Sequence, residues 1–336
     1  MPARPSEFEL IERLFVPLAT DSGAFGLADD ACVLPEDALC DVVATTDGLV
    51  EGIHFLAGDP GNLIAKKTLR VNLSDLAAKG AKPFGYLLAL SLPERIGMDW
   101  LEEFARGLKE DQAAFTVSLL GGDTTATPGP LTLVVTAFGH VPRGQMIRRS
   151  GAKPGDGVYV SGTVGDAGAG LEVLTQGATA PRRSSAAPAE PSREARLARA
   201  QYLIERYRLP SPRLALGQAL RGVATAALDV SDGLVADLGH IAEVSGVRIV
   251  LEAERIPLSP ALRAFWGAST EAIVRAATAG DDYEIAFTAP SVPAALAAEG
   301  GVPVTRIGRV EAGVGVVLTD SGGREIPVPR AGFRHF

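Results

Sequence analysis

Val42-Val43-Ala44-Thr45-Thr46-Asp47-Gly48-Leu49-Val50-Glu51-Gly52-Ile53-His54-Phe55 is the stretch on which the reading of this chain turns. The apolar run Val42-Val43-Ala44 reads as a buried strand. Two hydroxyls and a carboxylate follow, where the strand is expected to end. Oxygen ligands at a strand end suit a hard cation such as Mg²⁺. Four further acidic segments give this stretch its weight: Asp29-Asp30, Asp75, Gly121-Gly122-Asp123, and Asp229 with Ser231 and Asp232.

The length of 336 residues predicts about two domains. Charged residues make up 21% and hydrophobic residues 46%, enough apolar side chain to bury a core. A net charge of -8 argues against general binding to nucleic acid or to an anionic membrane. It would also repel an anionic substrate, so a phosphate ligand needs cations as a bridge. The two cysteines, Cys32 and Cys40, are too few for a disulfide scaffold and fit a reducing cytosol. No apolar run of about 18 residues and no basic-then-apolar leader is present, which predicts a soluble, cytoplasmic protein.

Taken in order, Ser6 and Glu9 form a capping box for a first helix with Phe8, Ile11, Leu14, Phe15 and Leu18 on one face. A second helix is expected over residues 62–78, with Leu69, Leu73 and Leu76 as its apolar stripe. Asn72, Asp75 and Lys79 share another face, and a carboxylate on a helix buried on several sides needs a partner. Strands are expected over 84–92, 117–120 and 131–141, with a helix capped by Asp99 and Glu102 between the first two. Gly121-Gly122-Asp123-Thr124-Thr125 reads as a tight turn.

A domain junction is predicted near residues 143–156, dividing the chain into 1–147 and 148–336. Residues 177–196, rich in Ala, Pro, Ser and Arg, read as a mobile insertion without a packed role. Further on, the strand 224–230, the turn Asp229-Val230-Ser231-Asp232-Gly233 and the helix 234–245 repeat the strand–acid–helix arrangement. The fold class is therefore α/β or α+β in two domains.

Soft-metal ligands are scarce. The four histidines are scattered and no C-x-x-C exists, so the carboxylates point to Mg²⁺ rather than zinc. Mg²⁺ commonly binds through carboxylates and substrate phosphates together, which makes nucleotide chemistry the natural inference. The P-loop, protein-kinase and G-x-S-x-G motifs are absent. Spacing alone leaves a Mg-nucleotide enzyme and a binding module both open.

As an ensemble, Asp29-Asp30-Ala31, Thr45-Thr46-Asp47 with Gly52-Ile53-His54-Phe55, Val71-Asn72-Leu73-Ser74-Asp75-Leu76-Ala77-Ala78, Gly121-Gly122-Asp123-Thr124-Thr125, Arg149-Ser150-Gly151-Ala152, Ser161-Gly162 with Gly165-Asp166, and Asp229-Val230-Ser231-Asp232-Gly233-Leu234 resemble the thiamine-monophosphate kinase family. The resemblance spans nearly the whole chain in order. It implies a fold like that of aminoimidazole ribonucleotide synthetase, a homodimer formed through the N-terminal sheet, and ATP in a cleft between domains. The implied reaction converts ATP and thiamine monophosphate to ADP and thiamine diphosphate.

By the same resemblance, Asp30, Thr45, Thr46, Asp47, Asp75, Asp123, Asp229 and Asp232 would hold several Mg²⁺ ions. Gly122, Asp123, Arg149, Ser231 and Phe115 would meet ATP, and His54, Asp281 and Phe333 would meet thiamine monophosphate. No catalytic base is implied, because the acceptor phosphate is already largely ionised near neutral pH.

This sequence departs from the family pattern at Ala28, where a Gly is usual, at Gly48, where a larger residue is usual, and at Asp281, where a Glu is usual. Phe115 stands where a Tyr is expected. The alternatives are a selenophosphate or aminoimidazole ribonucleotide synthetase, or a non-catalytic maturation protein of the same fold. A reactive Cys in an N-terminal Gly-rich loop would mark the selenophosphate enzyme, and a C-terminal Cys the maturation protein. Cys32 sits in an apolar run and the chain ends in Arg334-His335-Phe336.

Overall fold

The computed structural model describes residues 6–28, 31–35, 37–176, 192–293 and 296–333. They fall into two units: Met1–Leu76 with Ala81–Met146, and Ala77–Gly80 with Ile147–Phe336.

The first unit opens with the capping box. Ser6 N donates to Glu9 Oε2 at 2.9 Å and Glu9 N to Ser6 Oγ at 3.4 Å. The helix differs from expectation. α1 (Glu7–Leu10) passes at once into a π turn and then a 3₁₀ turn, Val16–Leu18. Leu10, Leu14, Phe15 and Leu18 are buried, while Phe8 is 80% exposed, because the change of helical pitch rotates it off the buried stripe.

A four-stranded sheet follows, built from β1 (Cys40–Val50), β2 (Lys82–Leu92), β3 (Ser118–Ala126) and β4 (Thr132–Pro142), in the order β1-β4-β2-β3. Two expectations are corrected here. Thr45-Thr46-Asp47 does not end its strand, because β1 continues to Val50 in unbroken register with β4. Gly121-Gly122-Asp123 is not a turn, because it runs on in β3 as the parallel partner of Leu87, Leu88 and Ala89. Ladder pairing overrides the turn-like composition.

Two long helices cover one face of this sheet: α2 (Gly61–Ala78) and α3 (Met98–Phe115). Leu69, Leu73 and Leu76 of α2 are at most 1% exposed, and burial of each contributes about 1.5–3 kcal/mol. The helices meet at Gly107, where a Cβ would lie 2.4 Å from Asn62 O, so only glycine permits this approach. The cap of α3 is Gly97, without a side-chain bond, rather than Asp99. Glu102 pairs instead with Arg13.

The second unit carries a seven-stranded sheet. Its strands are β5 (Gly157–Ser161), β6 (Ala226–Asp229), β7 (Arg248–Glu252), β8 (Ile285–Ala289), β9 (Val304–Glu311), β10 (Gly315–Thr319) and β11 (Glu325–Ile326). Their order is β11-β10-β7-β9-β5-β8-β6, with only β7–β10 parallel. The helices that bear on the site are α4 (Asp166–Gln176), α5 (Arg193–Arg208), α6 (Leu214–Ala219) and α7 (Leu234–Ser245). Leu228, Val230, Leu234, Leu238, Ile249 and Ile307 belong to one buried core.

The expected insertion is corrected at its C-terminal end. Residues 193–196 begin α5, capped by Ser192 Oγ, which accepts from Ala195 N at 3.2 Å. Residues 177–191 lie outside the described residues. Among the described residues, no helix is long and apolar enough to cross a membrane.

Candidate active site

In the first unit the site begins where β1 meets α2. Strand alternation turns Thr45 and Asp47 to the helix-covered face. Thr45 Oγ1 donates to Asp75 Oδ2 at 2.6 Å, and Asp47 N donates to Asn72 Oδ1 at 3.1 Å. Asn72 is fully buried and is held by its own amide, which donates to Thr68 O. The polar face of α2 is therefore packed against β1.

The Asp47 carboxylate has no hydrogen-bond donor and no cation against it among the described residues. Burial, and secondarily the charge of Asp75, pushes it up to about 6. Two neighbouring carboxylates, a hydroxyl and no counter-ion form a hard oxygen set that fits a divalent cation.

The remaining N-terminal candidates lie elsewhere. Thr46 faces the other side of the sheet, where its hydroxyl donates to Val135 O and accepts from Thr136 Oγ1, each at 3.1 Å. Asp123 shares that second face, since register aligns it with Ala89, Val134 and Gly48. β1 and β3 are the two edge strands, so Asp47 and Asp123 stand roughly 14 Å apart at about 4.8 Å per strand. Ligands of one Mg²⁺ lie within about 4.2 Å of each other, so one subunit cannot put both on one ion. Asp30 lies outside the described residues.

Gly122 is required sterically, because a Cβ there would lie 1.9 Å from Leu88 O. An apolar cavity of about 660 Å³ runs beside Gly121, Gly122 and Asp123, walled by Phe15, Leu27 and Phe138. Phe115 ends α3 with the Arg70 guanidinium 5.5 Å from its ring centre. Arg70 also forks onto Asp111 at 2.7 and 2.8 Å. His54 follows β1, and its Nδ1 accepts from Val50 N at 3.0 Å. In the neutral ring the proton is therefore on Nε2.

In the second unit, Asp229 closes β6 and is buried. The turn after it is gripped from inside. Oδ2 of Asp237, on the first turn of α7, accepts from the backbone N–H groups of Ser231, Asp232 and Gly233, each at 3.0 Å. Burial and the charge of Asp232 push Asp237 up to about 7, against the pull of these three donors. Asp232, Asp237 and His240 lie close enough to suggest a cation cluster. The Asp237 oxygen already points at three N–H groups, so it serves the turn.

Asp281 and Phe333 are drawn to the same turn. Asp281 N donates to Ser231 O at 2.8 Å, and Phe333 N to Asp232 O at 2.9 Å. Phe333 is 43% exposed. Beneath Asp281 lies a buried ion network. Gly165 N donates to Asp282 Oδ2 at 2.6 Å, and Glu284 pairs with Arg206 and Arg213. Burial drives Asp282 well above the ordinary carboxylate range. Burial alone would lower Arg206, but Glu284, Asp282 and Asp166 outweigh it and hold the guanidinium above its usual value. Arg149 is exposed just before β5. Lys79 donates to Ala227 O at 2.8 Å within this unit.

The structure thus brings together Thr45, Asp47 and Asp75 in one unit, and Asp229, Ser231, Asp232, Asp281 and Phe333 in the other. Sequence reasoning missed Asp237 and Tyr283. The only signal for Asp237 was a carboxylate at the start of an otherwise apolar helix face.

Comparison with known proteins places this arrangement. The profile described as AIR synthase related protein, N-terminal domain, matches residues 28–141, and its C-terminal counterpart matches residues 153–321. A thiamine-monophosphate kinase of Caulobacter vibrioides is 43% identical over 99% of this chain and 92% of that relative. The chain belongs to the thiamine-monophosphate kinase family. A crystal structure of a thiamine-monophosphate kinase from Stenotrophomonas maltophilia K279a superposes with a TM-score of 0.80 at 44% identity, covering 93% of this chain and 96% of that one. A family member described as AaThiL complexed with AMPPCP and TMP superposes at 0.75 with 32% identity, covering 94% and 97%.

Proposed function

We propose that this protein transfers the γ-phosphoryl group of ATP to thiamine monophosphate, giving ADP and thiamine diphosphate. The observation that carries the reading is the half-buried Asp47–Asp75 pair, without a counter-ion among the described residues, in a chain of this family. Several Mg²⁺ ions, for which Thr45, Asp47, Asp75, Asp123, Asp229 and Asp232 are the proposed ligands, would supply the positive charge that offsets repulsion between two phosphates. Asp30 and Thr46 complete the proposed ligand set.

The chain's own groups do the positioning. Gly122, beside the cavity, is the proposed backbone contact for the nucleotide. The adjoining cavity is within the size range of small-ligand sites and has apolar walls suited to a purine, with Phe115 as a further nucleotide contact. Arg149 offers a fork to phosphate oxygens, and Ser231 a hydroxyl. His54, Asp281 and Phe333 receive thiamine monophosphate. No general base is assigned, because the attacking phosphate oxygen is already ionised.

A homodimer is part of the proposal, formed through the N-terminal sheet. Val42, Ala44, Gly48 and Ala89 are exposed on its open face. If Asp47 and Asp123 serve one site, their separation requires a second copy to supply one of them. We place residues 1–147 in the dimerising domain and 148–336 in the second domain. Cys32 and Cys40 are both unbridged, in keeping with a cytoplasmic setting.

An ADP-release assay with Mg²⁺ and a panel of phosphate monoesters tests the reading. Turnover that requires thiamine monophosphate and is abolished by EDTA is expected. Equal turnover with unrelated monoesters would remove the assignment.

A further inference from the structure

Asp281 and Tyr283 share an unusual backbone. Their φ angles are 67° and 51°, in the left-handed region that residues with a side chain rarely occupy. Such a conformation persists only where the surroundings over-determine it. Here they do. Asp281 N donates to Ser231 O, Tyr283 N to Val230 O and Val230 N to Glu284 O, all at 2.8 Å. The residues between and after them are anchored inward. Asp282 accepts from Gly165 N at 2.6 Å, and Glu284 accepts from Ser161 Oγ at 2.5 Å and Arg206 at 2.9 Å. Asp282 and Glu284 are fully buried, whereas Asp281 and Tyr283 are half-buried at the surface.

The consequence is a side-chain pair. The Tyr283 hydroxyl donates to Asp281 Oδ1 at 3.1 Å. An aspartate carboxylate otherwise turns easily about its last torsion. A phenol on one oxygen fixes the plane of the group and so the direction in which its charge is presented. Thiamine monophosphate carries a cationic thiazolium and an aminopyrimidine, and both attract a fixed carboxylate. This aspartate is one methylene shorter than the glutamate usual in the family, so its reach is set by the backbone and by that phenol.

We propose that Tyr283 is a positioning residue for the acceptor substrate, holding the Asp281 carboxylate in the orientation that receives thiamine monophosphate. The inference rests on the reading of Asp281 as a substrate contact.

Steady-state kinetics of Tyr283→Phe, Asp281→Ala and the double variant test both layers. Tyr283→Phe keeps the ring and the backbone angle and removes only the hydroxyl. The KM for thiamine monophosphate is expected to rise about 3- to 10-fold, the size of one hydrogen bond. The KM for ATP and the melting temperature are expected to stay unchanged. In the Asp281→Ala background, Tyr283→Phe is expected to add nothing. A normal KM in Tyr283→Phe, with a raised KM in Asp281→Ala, overturns the role of Tyr283 and leaves the substrate reading standing. An equal effect of Tyr283→Phe in both backgrounds also overturns it. A normal KM in Asp281→Ala removes the substrate reading itself.

Discussion

The Thr45 hydroxyl donates to Asp75 Oδ2 at 2.6 Å, joining the middle of an edge strand to the last turns of the helix that covers it. Next to this bond stands Asp47, a carboxylate that the fold half-buries without a counter-charge among the described residues. Folding and cation binding therefore pull on Asp47 in opposite directions.

Asp47→Asn shows that opposition. Its carboxyl is raised to about 6 in the fold from an ordinary value near 3.8. The folded, metal-free state thus holds the proton more tightly than the unfolded chain does. The stability this gives is complete below about pH 4 and is lost as the pH rises through about 6. At pH 8, Asp47→Asn should stabilise the metal-free protein by about 2 kcal/mol and abolish turnover. Wild-type Mg²⁺ affinity should fall as the pH drops from 7.5 to 5.5, because protons compete for the same oxygens. Denaturant melts with EDTA and calorimetric Mg²⁺ titrations measure both effects. An affinity that does not change with pH would contradict the assignment.

Asp47 and Asp123 on opposite edge strands predict subunit complementation. Asp47→Ala and Asp123→Ala should each be inactive as pure proteins. After unfolding, mixing and refolding, half the dimers should be mixed, and one of the two sites in each should be intact. About a quarter of wild-type activity is therefore expected. No recovery in a confirmed mixed dimer would mean that each site is built within one chain.

Much of this is legible in the sequence, and what is not has physical causes. The stripe of Leu69, Leu73 and Leu76 marked α2, and Asn72 with Asp75 marked its polar face, because helical periodicity is local. The ends of β1 and β3 are not legible from local composition. Thr-Thr-Asp and Gly-Gly-Asp have turn composition, yet pairing with β4 and β2 carries them on as strand. Phe8 leaves the buried stripe because a π turn shifts the phase of the first helix. Asp237 and Tyr283 could not be read, since their partners are backbone N–H groups and a left-handed neighbour. The distance between Asp47 and Asp123 depends on strand order, which no local pattern encodes.

Asp237 should act through geometry rather than charge. Asp237→Asn keeps a carbonyl oxygen for the three N–H donors, and it removes a charge that burial opposes. It should match or slightly exceed wild-type stability above pH 7 and keep most activity. Asp237→Ala leaves Ser231, Asp232 and Gly233 without their acceptor and should cost about 2–4 kcal/mol, with a raised KM for ATP. Thermal melts and ATP kinetics distinguish the two. Equal damage by Asn and Ala would show that the charge itself is needed.

The most direct measurement follows the phosphorus. Enzyme, Mg²⁺, thiamine monophosphate and ATP labelled in the γ-phosphate are mixed for a single turnover, and the products are separated. The label is expected in thiamine diphosphate, formed in step with ADP. Label released as inorganic phosphate, with thiamine monophosphate unchanged, would contradict the account.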